Sequence, residues 1–128
     1  MPSYLLDTSV ILDLINDRGG RREFIRALVQ PGDTVGCCLI NVIEVYTGMR
    51  PGEQAITRQY IDALLYHEIT KDTGRLAGQL RYQWRRKGST ISLADATVAA
   101  VALAGQLVLL TDNRKHIPMP ELTFYDLP

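Results

Sequence analysis

Apolar positions along the chain change period several times, and each change marks an element. Tyr4-Leu5-Leu6 is a short apolar run that stops at Asp7, after which Val10, Ile11, Leu14 and Ile15 recur at helical spacing. This reads as strand, turn, helix. Phe24, Ile25 and Leu28 place a second helix over about Arg21 to Val29, and Pro31-Gly32-Asp33 forms a turn. Thr34 to Leu39 is then a buried strand, and Asn41 is positioned to cap a helix carrying Val42, Val45 and Tyr46. Pro51 suits a first helical position, ahead of an apolar stripe at Ile56, Tyr60, Ala63 and Leu64.

The second half repeats the alternation. His67 to Thr70 is a brief strand, followed by a helix from about Asp72 to Lys87 with Leu76, Ala77, Leu80 and Trp84 on one stripe and Gly88 at its end. Leu93 to Ala104 is apolar almost all round, as expected of a helix packed between layers. Leu107 to Leu110 is a wholly apolar strand, and Leu122 to Tyr125 is an edge strand. Short apolar strands alternating with helices predict an α/β fold, with a central parallel sheet flanked by helices on both faces. No repeat, linker or low-complexity tract divides the chain, so residues 1–128 are expected to form one domain.

Composition narrows the function. The 128 residues are 46% hydrophobic and carry 14 Lys+Arg against 14 Asp+Glu, a net charge of zero. Such a chain buries enough surface to fold without metal or disulfide scaffolding. Zero charge argues against a nucleic-acid binder built on bulk basicity and against a disordered charged regulator. Cys37 and Cys38 are adjacent, their Cα atoms about 3.8 Å apart and too close for an unstrained disulfide, so two buried thiols in a reducing cytosol are expected. The absence of a signal-like N-terminus or a run of ~20 apolar residues predicts a cytoplasmic protein with no membrane partner.

Chemistry must then lie in charge placement. In a parallel sheet, ligands gather beyond the carboxyl ends of the strands. Asp7 and Asp112 follow two strands directly, while Glu44 and Asp95 lie early in helices. Asp7 and Asp112 have a simpler reading as helix or turn caps, and Asp95 stands three after Ser92, as in a capping box. Glu44, set among Ile40, Val42, Ile43 and Val45, resembles a buried acid, which would require a cation. Carboxylates gathered on one rim repel one another unless a divalent ion neutralises them, and all-oxygen donors favour Mg²⁺ or Mn²⁺. Thr8, Ser9, Thr111 and Asn113 add groups able to position water or phosphate.

These residues resemble a family. Leu5-Leu6-Asp7-Thr8-Ser9-Val10-Ile11, Asn41 to Gly48 (NVIEVYTG), Leu93-Ala94-Asp95-Ala96 and Leu110-Thr111-Asp112-Asn113 are similar, in order and spacing, to the four motifs of PIN domains, above all the VapC-like ribonuclease toxins of toxin–antitoxin pairs. The resemblance implies a three-layer PIN-like sandwich and an endoribonuclease that uses Mg²⁺ or Mn²⁺. In it Asp7, Glu44 and Asp95 form the catalytic metal site, with Thr8 or Ser9 supporting metal or phosphate. At the fourth motif the family pattern places Asn113 at the ligand position and Asp112 on the variable one, and both remain candidates. It also implies an RNA substrate, a cognate antitoxin and a homodimer.

The basic residues gain a role in this light. Between Thr73 and Ala94 stand Arg75, Arg81, Arg85, Arg86 and Lys87 with no acid, and Arg18, Arg21, Arg22 and Arg26 face only Glu23 in their segment. Either face suits an RNA backbone, Arg81, Arg85, Arg86 and Lys87 being the main candidates. Trp84 falls on an apolar stripe and is expected in packing rather than base stacking, and neither His67 nor His116 has metal-ligand spacing. Two other readings stand beside ribonuclease action: a non-catalytic PIN-like module that binds RNA or protein, and an aspartyl phosphotransferase with Asp7 as nucleophile. Ser9 weakens the second, because that chemistry favours an acid two residues after the nucleophile.

Overall fold

The computed structural model describes residues Met1–Pro128. Its elements are β1 (Ser3–Leu6), α1 (Thr8–Asn16), α2 (Arg21–Leu28), β2 (Thr34–Cys38), α3 (Leu39–Thr47), α4 (Gln54–Ala63), β3 (Leu65–His67), α5 (Lys71–Arg86), α6 (Leu93–Gly105), β4 (Val108–Leu110) and β5 (Thr123–Phe124). Short 3₁₀ turns at Arg18–Gly20 and Arg114–His116 complete the chain. All strand pairs are parallel and the sheet order is β3-β2-β1-β4-β5. Because every strand runs the same way, all carboxyl ends share one rim.

Alternation along the strands divides the core. Tyr4, Leu6, Cys37 and Leu110 face a cluster with Val10, Ile11, Leu14, Ile15 and Val45, supplied by α1 and α3, with α2 and α4 packed outside it. Leu5, Cys38 and Leu109 face the opposite cluster, where α5 and α6 pack with Ile117, Met119 and Leu122. Helices therefore cover both faces, and the molecule is the expected three-layer α/β sandwich. Residues Ala96 to Ala102 of α6 are all buried, so the all-round apolar segment does lie inside. Small alanines on this helix let α5 and the sheet approach closely. Each fully buried Leu or Val contributes roughly 1.5–3 kcal/mol of transfer free energy.

Several boundaries differ from the sequence reading. Asn41 is not the cap of α3: the helix begins two residues earlier, and fully buried Asn41 turns its side chain back to accept the Cys38 N–H at 2.9 Å. Pro51-Gly52 forms a turn, and α4 starts only at Gln54. The third strand is Leu65–His67 rather than His67 to Thr70, since Thr70 caps α5 through its hydroxyl. Register fixes that strand, pairing Gly36 with Leu65 and Cys38 with His67. A Cβ at Gly36 would stand 2.5 Å from the Leu65 carbonyl oxygen, so only glycine permits this approach.

Candidate active site

The rim at the carboxyl ends of β1, β2 and β4 collects polar side chains from four segments. Asp7 ends β1, and its N–H donates to the Leu110 carbonyl at 2.9 Å, extending the β1–β4 ladder by one residue. The carboxylate is 6% exposed. Its Oδ1 accepts the Thr8 N–H at 2.9 Å, as an N-cap does, and its Oδ2 accepts the Thr111 hydroxyl at 2.8 Å. Capping and site geometry thus coexist in one side chain. Thr111 Oγ1 in turn accepts the Asn113 N–H at 3.0 Å, which ties the turn after β4 to the same centre.

A second relay crosses from α1 to α3. Asn41 Nδ2 donates to Thr8 Oγ1 at 3.3 Å, and the Thr8 hydroxyl donates to Glu44 Oε1 at 2.6 Å. Glu44 is held in place by this bond but is exposed, contrary to its apolar neighbours in sequence. Ile43 beside it is also exposed, so this face of α3 looks outward and Glu44 carries no large desolvation cost. Asp95 sits in the first turn of α6, where its N–H donates to the Ser92 hydroxyl at 3.0 Å. Its half-buried carboxylate returns no bond to the cap and stays available.

Burial, above all, pushes the Asp7 carboxyl above its ordinary range, and the charges of Asp95 and Glu44 push it further; the hydrogen bonds from Thr111 and Thr8 act the other way. Glu44 and Asp7 also raise the neighbouring Cys38 thiol, though burial dominates there. The other thiol, Cys37, is lifted by burial to about 11 and stays protonated at neutral pH. Asp7 thus feels the charges of both other acids across the rim, a field that a cation would relieve. No three Asp, Glu, His or Cys side chains are grouped so that they could hold a metal ion between them. An open set of hard oxygen donors suits Mg²⁺, which keeps several waters and binds through one or two carboxylates plus a substrate phosphate.

Asp112 is otherwise engaged. Its Oδ1 accepts Arg21 Nη2 at 2.8 Å, while Arg21 Nε donates to Asp13 Oδ2 at 3.2 Å. The Asp112 N–H donates to Ser9 Oγ at 3.3 Å. Asn113, next along, is exposed. Arg22 is spent as well, donating to the Leu14 and Ile15 carbonyls at the end of α1. Arg21 and Arg22 of the first basic cluster are thus consumed within the fold, while Arg18 and Arg26 are exposed, as are Arg81, Arg85, Arg86 and Lys87 on α5. Trp84 packs against the α5–α6 core with the Lys87 ammonium 4.7 Å from its ring centroid.

The PIN domain model matches residues 4–121, nearly the whole chain. The chain belongs to the PIN domain family. Ribonuclease VapC19 of Mycobacterium tuberculosis is 27% identical over 119 residues, covering 92% of this chain and 95% of that protein, and Ribonuclease VapC10 of the same organism is 26% identical over 117 residues, covering 91% and 87%. Among solved structures, VapBC2 from Rickettsia felis, bound to a DNA fragment from its promoter, superposes with a TM-score of 0.87 at 21% identity, covering 98% of this chain and 99% of the other. DNA-bound VapBC from Salmonella typhimurium gives 0.83 at 22% identity, covering 98% of each chain. The PIN fold is therefore common to proteins of widely diverged sequence.

Two participants in this PIN rim escaped the sequence reading. Asn41 was read as a cap, yet a buried amide inside an apolar run must find partners, and it finds both the chain before α3 and Thr8. Arg21 was grouped with surface cations, although it is 8% exposed and paired on two sides. Nothing local in the sequence marks Arg21 as buried, because its second partner lies 91 positions away.

Proposed function

We propose that this chain is a metal-dependent endoribonuclease that hydrolyses phosphodiester bonds of single-stranded or loop RNA, as the toxin of a toxin–antitoxin pair. The observation that carries the proposal is the buried Asp7 carboxylate, fixed by Thr8 and Thr111 and repelled by Asp95 and Glu44. The names of the VapC relatives and the VapBC assemblies of the structural neighbours support the same reading. Asp7, Glu44 and Asp95 would hold Mg²⁺ or Mn²⁺, with Asn113 the candidate from the fourth motif. When bound, such an ion supplies Lewis-acid polarisation of the phosphate and acidifies an attacking water.

The chain's own residues do the positioning. Thr111 and the Thr8 N–H fix both Asp7 oxygens, so this carboxylate meets the substrate already oriented. Thr8, held by Asn41, fixes Glu44 across the rim. Asp112, clamped by Arg21, acts through the turn it anchors, and Ser9 accepts its N–H. Arg81, Arg85, Arg86 and Lys87 supply positive charge for the RNA backbone. With Ser9 in the position where phosphotransferases of the aspartyl type carry a second acid, hydrolysis by water is favoured over a phospho-aspartate.

The test is cleavage of a single-stranded RNA with Mg²⁺. Wild-type protein is expected to cut it, EDTA to stop it, and Asp95→Asn to lose at least ~100-fold in rate, since even the outer partners of metal ligands are worth 10–100-fold. Undiminished cleavage by Asp95→Asn would favour a different centre, and no cleavage by either protein would favour a binding module. The partner is an antitoxin, expected to be encoded by the adjacent gene.

A homodimer is proposed as well. Leu39, Ile43 and Tyr46 form an exposed apolar stripe on α3 at i, i+4 and i+7, 44%, 53% and 40% exposed. Sedimentation at micromolar concentration should show a dimer for the wild type and a monomer for Ile43→Glu. A monomeric wild type would refute this.

A further inference from the structure

Two clefts adjoin at the loop before α6, and Asp95 lines the larger of them. The larger, about 410 Å³, is lined by Ser89, Thr90, Ser92, Asp95, Lys115 and His116. The other, about 150 Å³, lies between α5 and the loop before α6, against Gly78, Arg81, Tyr82 and Arg85. Thr90 and Ile91 wall both, so the two adjoin along this segment and together make a trough. Arg81 stabilises their junction by donating from Nε to the Ile91 carbonyl at 2.9 Å.

The lining identifies the occupant. Arg26, Arg58, Arg75 and Arg114 on other surfaces are each paired with a carboxylate, but Arg85 and Lys115 are not, and Asp95 is the one acid in the trough. Hydroxyl-bearing Ser89, Thr90 and Ser92 line the larger cleft together with Lys115. At the outer end Tyr82 is 51% exposed, with the Arg85 and Arg86 guanidiniums 6.0 and 5.8 Å from its ring centroid. Both guanidiniums lie over the ring, and Arg86 Nη1 also donates to the Tyr82 hydroxyl at 3.2 Å, so a nucleobase stacking on Tyr82 would displace one of these exposed cations onto the RNA backbone.

We propose that this trough is the substrate path: a single-stranded RNA lies along it with its reacting phosphate at Asp95, its backbone between Lys115 and Arg85, and one base stacked on Tyr82. The proposal rests on the ribonuclease reading and extends it to residues beyond the acidic rim, including Lys115, His116 and Tyr82.

Binding of a fluorescein-labelled, uncleavable 2′-O-methyl oligouridylate to the full chain at a fixed Mg²⁺ concentration, followed by anisotropy from about 50 to about 300 mM KCl, separates the contributions. Lys115→Ala and Arg85→Ala should each lower the slope of log affinity against log salt by about 0.7, the value for one contact to a single strand. Tyr82→Ala should weaken binding about tenfold without altering the slope, and Tyr82→Phe should bind as the wild type does. Arg58→Ala, on α4, should change neither quantity. All these side chains are exposed, and matching thermal midpoints check that the variants fold; Lys115→Gln and Arg85→Gln replace any that do not.

Unchanged slopes in the Lys115 and Arg85 variants, or wild-type affinity in Tyr82→Ala, overturn the proposal. The same result accompanied by lost binding to a protein partner would give the trough to that partner instead. RNA binding through the trough without cleavage in Mg²⁺ would remove the ribonuclease reading and leave the trough standing. Cleavage with wild-type KM in all three variants would do the reverse.

Discussion

Asp7→Asn is expected to abolish RNA cleavage and, in EDTA at neutral pH, to make the protein more resistant to heat. The first effect follows from removing the charge that would face a divalent ion, with a loss of at least ~100-fold. The second follows from the same carboxylate without its ion. Burial and the charges of Asp95 and Glu44 raise the Asp7 carboxyl in the folded state, so the folded chain still holds a proton at pH values where the unfolded chain has released it. Stability attributable to this group therefore falls as pH rises from the unfolded value through the folded one.

An amide carries no such penalty, and its oxygen can still accept the Thr8 N–H. The Thr111 hydroxyl must give up its bond to the second oxygen, which offsets part of the gain. Calorimetric midpoints from about pH 4 to about pH 8 are the measurement: the advantage of Asp7→Asn should grow with pH and vanish at the acid end, where the wild-type carboxyl is protonated too. Saturating Mg²⁺ should stabilise the wild type and not the variant. A variant less stable than wild type across the whole range would show that the Thr111 bond outweighs the charge.

Arg21→Ala is expected to destabilise the protein by about 2–3 kcal/mol. Its guanidinium bridges Asp13 on α1 and Asp112 after β4, with side chains 9%, 13% and 39% exposed in that order. Removing one partner of a buried ion pair costs roughly 3–5 kcal/mol, because the other is left charged and unpaired. Partial exposure of Asp112 reduces that figure. Urea unfolding should show a lower midpoint at unchanged m-value. Arg21→Lys should recover little, since an ammonium lacks the planar fork that spans two carboxylates. Adding Asp112→Asn to Arg21→Ala should restore part of the loss, and a cost for Arg21→Ala below ~0.5 kcal/mol would show that the clamp is not holding the turn.

Neutral net charge acquires a structural meaning from these sites. It includes an acidic rim formed by Asp7, Glu44 and Asp95 and a basic strip on α5, while Arg21 is spent inside the fold on Asp13 and Asp112. A chain of this balance does not gather polyanions indiscriminately. On the proposed function, a divalent ion at the rim would remove the field opposing a phosphate and leave the exposed cations of α5 to act.

Much of this was legible in the linear pattern, for a local reason. Strand and helix periods, the apolar runs that place Asp7 and Thr111 at strand ends, and the all-round apolar α6 are properties of neighbouring residues. They suffice to predict a parallel sheet with helices on both faces and to nominate the residues of its rim. Element limits were less legible where a side chain bonds back along the chain: Asn41 and Thr70 change the start of α3 and the extent of the third strand.

The remainder depended on residues far apart in sequence. The solvent-facing side of α3 exposes Glu44 despite its apolar neighbours, and the fold brings Arg21 to Asp112 and the Thr90 loop to Lys115. Whether a charge is buried, paired or free is settled by what another segment packs against it, and periodicity carries no information about that. By itself the sequence determined the order of elements and the acids at their ends. Only the tertiary structure decided which acid is locked by an arginine, which stand open on the rim, and which cations remain free along the trough beside it.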